Sequence, residues 1–249
     1  MRTALVLVLL SAVPARADSD TAHWADLATT THKAAQKSQD PKQYQEAAAY
    51  YEKYFAKPDD KEGPMAFYYG ELLFKLQRYA DAAKMYERSI DVEPKGEFAK
   101  EAVYAYVMST KNAVTTPPMT PDHAPCPGLK PCPIPADLQR LIAAFDRYDA
   151  MVPESPQRPN MEYRRARVFY EYNHFAEAAP QFDHIFTAYP HNELATYSAN
   201  LEMDCLAGLK RYGELRALVE RVKKSPIMSD ATTQEQVRDV EAALKKQRK

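Results

Sequence analysis

Glycine is scarce, with six residues in 249. So few leave little room for the glycine-rich loops that cradle phosphates or dinucleotides. No phosphate loop, dinucleotide fingerprint or Gly-x-Ser-x-Gly elbow occurs. Histidine is also sparse: His23, His32, His123, His174, His184 and His191 form no His-x-x-x-His or His-Glu-x-x-His pair. Zinc ligation on a helix therefore has no spacing to rest on. Carboxylate pairs such as Asp59-Asp60 flank a turn and read as solvated. An excess of positive charge is missing as well, with 33 Lys+Arg against 34 Asp+Glu. A nucleic-acid partner is not expected, because phosphate recognition needs a basic stripe. No Asn-x-Ser/Thr acceptor is present, which leans away from a glycosylating secretory route.

Long apolar runs are confined to the start. Met1-Arg2 is a short basic opening, Ala4 to Val13 is apolar except for Ser11, and Ala15-Arg16-Ala17 places small residues at a cleavage site. This reads as a secretory signal peptide over 1–17. The run is about half of the roughly 20 residues that span a bilayer. An uncleaved anchor or a buried N-terminal helix are the alternatives. Asp18, not Cys, follows the cleavage site, so a lipid-modified N-terminus is not supported. Cleavage removes Arg2 and Arg16, taking Lys+Arg from 33 to 31 against 34 acids, a net charge of −3 over 232 residues. The expectation is an exported, periplasmic or secreted chain with no transmembrane span after cleavage. Its length suits one extended domain or two small ones.

What the sequence has in abundance is Ala, Tyr, Leu, Glu and Lys, a helical composition. It also repeats itself at a constant offset of 96: Met65 matches Met161, Phe67 matches Tyr163, Gly70 matches Ala166 and Leu73 matches Phe169. Tyr79 matches Phe175, Ala82-Ala83 match Ala178-Ala179, Tyr86 matches Phe182 and Pro94 matches Pro190. Small residues at Gly70 and Ala82 let two antiparallel helices approach closely. Leu73, Tyr79 and Tyr86 fill the space around that contact. Pro94 ends the second helix. One such hairpin cannot bury its apolar face alone, so hairpins stack.

These residues resemble the tetratricopeptide repeat (TPR) family, whose small–small–aromatic–proline pattern falls on Gly70, Ala82, Tyr86 and Pro94. The copy at 160–190 fits with Ala166 in place of Gly. A copy ending near Pro58 fits at Tyr44, Ala47 and Tyr51, with a poorly matched first helix from about Thr21. The segment 195–223 has Gly213 and Leu215 where small residues belong in the pattern. Pro180 sits inside an expected second helix, where it should cost about 3 kcal/mol or force a kink. Glu97 to Asn112 and Ala136 to Met151 read as the halves of a third hairpin, split by a Pro/Cys-rich insertion at 114–135. Ala231 to Lys246 reads as a capping helix, with Asp230 at its N-terminus and Val237, Val240 and Leu244 as its apolar stripe.

The resemblance implies an all-α fold, a right-handed superhelix of stacked antiparallel hairpins over 18–224, with 225–249 as capping helix and basic tail. It implies a concave groove lined by the first helix of each hairpin. Carried over position by position, the groove residues are Phe67, Glu71, Phe74 and Lys75, then Tyr163, Arg167, Tyr170 and Glu171, then Asn200 and Asp204. Rings supply contact area and charges supply register for an extended peptide or a partner helix. Packing against a neighbouring repeat is the competing role for each ring. The repeat ending in Tyr189-Pro190 is similar to those of bacterial envelope TPR proteins.

Cys126 and Cys132 lie in Ala124-Pro-Cys-Pro-Gly-Leu-Lys-Pro-Cys-Pro133. In an oxidising compartment two near cysteines pair. A ring this short contributes roughly 2 kcal/mol at most and shapes a loop, with the fold held by other means. A metal clip with His123 and a redox-active pair are the alternatives; the first lacks a fourth ligand and the second lacks Cys-x-x-Cys spacing. Cys205 reads as a buried free thiol. The expected function is a non-enzymatic periplasmic scaffold without cofactor or metal, binding a protein or peptide, with membership of an envelope assembly complex as a second form. A metal- or redox-active protein using 123–132 is the alternative of another class.

Overall fold

The structure is a computed structural model that describes residues 19–56, 63–120 and 124–246; the expected signal peptide at 1–17 and His123 lie outside the described residues. Its elements are helices: α1 (Ser19–Ser38), α2 (Pro41–Phe55), α3 (Gly63–Lys75), α4 (Tyr79–Val92), α5 (Ala99–Asn112), α6 (Ala136–Met151), α7 (Arg158–Glu171), α8 (Phe175–Ala188), α9 (Glu193–Gly208), α10 (Tyr212–Lys223) and α11 (Ala231–Lys246), with a 3₁₀ turn at Pro226–Ser229. The fold is all-α, built of stacked helical hairpins as the sequence pattern implies. None of the described helices is long and apolar enough to cross a membrane.

The same turn closes three hairpins. After α3, Gln77 donates its N–H to Phe74 and Arg78 donates to Leu73; after α7, Asn173 donates to Tyr170 and His174 to Phe169; after α9, Lys210 donates to Ala207 and Arg211 to Leu206. This crossed pair of bonds satisfies the last carbonyls of each first helix and demands a left-handed residue at its centre. Gln77, Asn173 and Lys210 supply it, with φ of 59°, 59° and 57°. Glycine is the usual choice there, which is why so glycine-poor a chain hides its turns from a motif search. Side-chain caps start other helices: Asp40 accepts from Lys42 N, Asn192 from Leu194 N and Asp230 from Thr233 N.

The chain divides into two compact units at Ala113/Val114. The first holds α1–α5, in which α1 packs on α2, α3 on α4 and α4 on α5. Its core is rich in tyrosine: Tyr44, Tyr51, Tyr54, Tyr69 and Tyr86 are buried, and Tyr51 stacks on Tyr69 with ring centroids 5.0 Å apart. The second unit holds α6–α11, with α6 on α7, α7 on α8, α8 on α9 and α10 on both α9 and α11. Its main core runs from Ala166 and Phe182 through Ala199 and Met203 to Leu218 and Val237. The two helices read as halves of a split hairpin, α5 and α6, thus fall in different units. Pro180 lies inside α8 on its exposed side and does not end the helix. A helix carbonyl on the solvent side finds water when proline removes its donor, so the break that the residue threatens is avoided.

Candidate functional site

In the second unit α7 and α9 are first helices of consecutive hairpins and touch directly, and α11 takes the next place beside α9. Their common face carries most of the residues assigned to a groove. Tyr163 of α7 is half-buried, and its ring lies 6.5 Å from that of Tyr197 on α9. Tyr197 is 56% exposed, the most open aromatic ring in either unit's helices. One turn on from Tyr163, Arg167 pairs with Glu171. Further along, Tyr170 donates its hydroxyl to Asp204 at 3.4 Å, and Gln236 of α11 donates to the other Asp204 oxygen at 3.2 Å and to the Asn200 carbonyl at 3.0 Å. Burial, then the Asp204 charge, push the Tyr170 phenol up to about 12. Burial also raises the Asp204 carboxyl, against the pull of its bonds from Tyr170 and Gln236.

This face therefore has two parts. Tyr163, Tyr197 and Arg167 form an open patch of rings and charge. Tyr170, Asp204 and Gln236 form a polar seam, exposed at Asp204, in which Tyr170 and Gln236 both donate to Asp204. The carried-over positions passed over Tyr197, because Asn200 and Asp204 lie 33 residues on from Arg167 and Glu171, an offset that puts Thr196 in the place of Tyr163. Its signal is the offset of 34 from Tyr163, a tetratricopeptide period. Nothing in the sequence singles out Gln236.

The first unit treats the matching positions differently. Phe67 is buried and stacks on Phe98 with centroids 4.7 Å apart. It packs within the unit and is not open to a partner, a correction to its groove assignment: the loop before α5 folds back and brings Phe98 over it. Phe74 is half-buried against Tyr79. Glu71 is exposed as a residue, but its carboxyl tip turns in to accept a 2.5 Å bond from the Tyr86 hydroxyl, and desolvation there lifts it above the ordinary range against that bond. Lys75 is exposed and donates to Gln39. In the second copy Arg167 stands for Glu71 and Phe182, which has no hydroxyl, for Tyr86. The internal hydrogen bond of the first copy is gone, and Arg167 is exposed and pairs with Glu171 instead.

Buried or half-buried acids that the sequence did not mark lie on α6, α7 and α9. Glu202 of α9 is 5% exposed. Burial, then the nearby Asp183 charge, push it up to about 8, while Arg221 at 3.5 Å pulls the other way. Arg221 is closer to Asp183, at 2.6 Å. Asp149 of α6 rises to about 6 through burial, despite Arg165 at 3.1 Å. Glu162 is buried and pairs with Arg158. Arg221 is shared by Asp183 and Glu202, and Arg165 by Asp146 and Asp149, so these groups tie neighbouring helices together, while Arg158 pairs with Glu162 within α7. Among the described residues no group of three His, Cys, Asp or Glu side chains is placed to hold a metal ion.

Cys126 and Cys132 form a disulfide with Cα atoms 5.7 Å apart. The ring docks on the α7–α8 turn. Asn173 donates its amide to the carbonyls of Gly128 and Lys130, His174 Nε2 donates to the Cys132 carbonyl, and the Cys132 N–H donates to the Tyr172 carbonyl. Cys205 is a buried free thiol that burial, then Asp204, push up to about 12.

No protein-family model matches the chain, and no curated protein matches it. Several solved structures of TPR-type proteins are similar to it. A Podosopora anserina protein of nearly identical TPR-like repeats, of the kinesin light chain kind, is 13% identical over 89% of this chain and 97% of its own, with a TM-score of 0.42. MamA from AMB-1 is 13% identical over 82% and 90%, with a TM-score of 0.42. A TPR protein from Parabacteroides merdae is 12% identical over 91% and 78%, with a TM-score of 0.37. The likeness is one of helical-hairpin architecture, and no functional property passes from these proteins to this chain.

Proposed function

We propose that the protein is an exported, non-enzymatic scaffold that binds a protein or peptide partner on the first-helix face of its second unit. The observation that carries this reading is the open Tyr163–Tyr197 pair beside Arg167. Large rings with few rotors offer contact area at low entropic cost, and a neighbouring arginine adds register. The Tyr170–Asp204–Gln236 seam braces the same face, so the patch is presented by fixed helices. Export to a periplasm rests on the residue pattern of 1–17, and an envelope protein is the partner class that follows from it.

A Tyr163→Ala/Tyr197→Ala variant tests the reading. Both rings lie at the edge of the core, so the variant is expected to keep its helical circular dichroism. The wild-type protein is expected to enrich one discrete envelope protein in crosslinked membranes, and the variant to lose it. Undiminished capture by the folded variant would place the interface elsewhere. Membership of an assembly complex is a second form of the proposal, favoured by Leu129, which is 65% exposed at the apex of the stapled ring and offers a second contact.

A further inference from the structure

The Cys126–Cys132 ring is attached to the rest of the second unit through a set of bonds that all end inside the ring. The carbonyls of Gly128 and Lys130, which Asn173 holds at 2.9 and 3.1 Å, both lie between the two cysteines. The remaining two bonds belong to Cys132 itself: its carbonyl receives His174 at 3.0 Å, and its N–H reaches Tyr172 at 3.2 Å. One amide side chain can bridge two carbonyls only if the chain between them is held bent. The disulfide and Gly128, at φ 66°, hold it so. The docking geometry is thus a property of the closed ring.

The apolar contact beneath the ring is separate from the main core. Cys126 packs with Val168 and Tyr172, joined by Cys132, Ile134, Leu138 and Ile142, and this small cluster stands apart from the one that holds α8–α11. The flanks of the insertion have their own anchor outside the ring. Asp137 accepts from the N–H and hydroxyl groups of both Thr115 and Thr116. The ring can therefore leave its seat while the flanks of the insertion and the core stay in place.

We propose that the Cys126–Cys132 ring is a thiol-sensitive latch over the α7–α8 turn, closed when oxidised and undocked when a dithiol reductant opens it. A reductant thiolate attacks the Cys132 sulfur, since Cys132 is partly exposed and Cys126 is buried. The Cys126 sulfur leaves as a thiolate and takes a proton. The second reductant thiol then attacks the mixed disulfide and releases Cys132 as a thiol. The reductant ends as its own cyclic disulfide, so two electrons and two protons have passed to the protein. Undocking exposes the Val168 and Tyr172 surface at the end of the helix that carries Tyr163 and Arg167.

Hydrogen–deuterium exchange on the full chain, with and without dithiothreitol, tests this. Reduction is expected to speed exchange at the Cys132 amide at least ~10-fold while the amides of α8–α10 are unchanged, as a local opening requires. Iodoacetamide added to the reduced native protein should label two thiols and spare buried Cys205. The Cys126→Ser/Cys132→Ser variant should show the same fast exchange without reductant. Equal protection of Cys132 in all three states would overturn the latch, because docking would then not depend on the ring. Loss of protection spreading through α8–α10 would overturn it too, since the disulfide would be a staple of the whole unit.

Discussion

The Tyr86 ring rests against the backbone of Gly70, close enough that a Cβ on Gly70 would stand 2.8 Å from Tyr86 Cε1. Tyr86 has no room to retreat, being 1% exposed and tied to Glu71 through its hydroxyl. Gly70→Ala removes a helix penalty of about 1 kcal/mol but overpacks the contact. The net effect is expected to be destabilising by about 1–3 kcal/mol, the usual cost of an added methyl in a filled core. Gly213→Ala is the control, since nothing lies within 4 Å of its Cβ position in α10. It is expected to stabilise by up to about 1 kcal/mol. Thermal melts of the two variants against wild type check the opposed signs.

Acid should weaken the first unit through His32. This side chain is 5% exposed, its Nδ1 lies 3.3 Å from the Tyr51 hydroxyl, and burial lowers it from 6.5 to about 4. The unfolded chain takes up a proton at His32 that the folded one refuses. The stability tied to neutral His32 is complete above about pH 6.5 and is lost as pH falls towards 4, on the order of 3 kcal/mol in all. Amides of α1 and α2 are therefore expected to exchange faster, after correction for intrinsic rates, at pH 4.5 than at pH 7. Equal corrected protection across that window would remove His32 as the cause.

The second unit should respond in the opposite direction through Glu202. A folded value near 8 above an ordinary 4.5 means that its contribution is complete below about pH 4.5 and is lost as pH rises through 8. Glu202→Gln mimics the protonated form. The variant is expected to melt with wild type at pH 5 and several degrees higher near pH 9, a gain on the order of 2 kcal/mol. A variant less stable than wild type at pH 9 would show that the Arg221–Glu202 attraction outweighs the burial of charge.

Asp137 ties the flanks of the insertion together. Burial works against its ionisation, but bonds from Thr116 first, then Thr115 and Leu138, hold its carboxyl far below the ordinary range. Its contribution is therefore present above about pH 4 and fades in stronger acid. Asp137→Ala is expected to expose the Thr115 and Thr116 amides to fast exchange at neutral pH, with a local cost of about 2 kcal/mol given the partial exposure of the group. The α9–α10 amides should not respond.

Helix positions were legible because their signals are local. Ala136–Met151 and Ala231–Lys246 follow from apolar spacing and flanking proline or aspartate, and the observed α6 and α11 have those bounds. The close approach at Gly70 was legible for the same reason. Which first-helix residues face outward was not. Phe67 and Tyr163 occupy equivalent positions, but the first stacks on Phe98, while the residue 96 positions on from Phe98 is Leu194, which has no ring to stack on Tyr163. The left-handed turns at Gln77, Asn173 and Lys210 were hidden because the residues there are not glycine. The role of Asn173 depends on carbonyls more than forty residues away in sequence, and no spacing within the α7–α8 hairpin reports such a contact.

The central claim is that the partner meets the Tyr163–Tyr197 patch. The most direct measurement is a photo-crosslinking amino acid at Tyr197 in the native envelope, compared with one at Ala217, exposed on α10 in the same unit. A discrete crosslinked protein from position 197, absent from position 217 and lost when Arg167→Ala is added, is the predicted result. No crosslink from 197, or the same product from both positions, would contradict it.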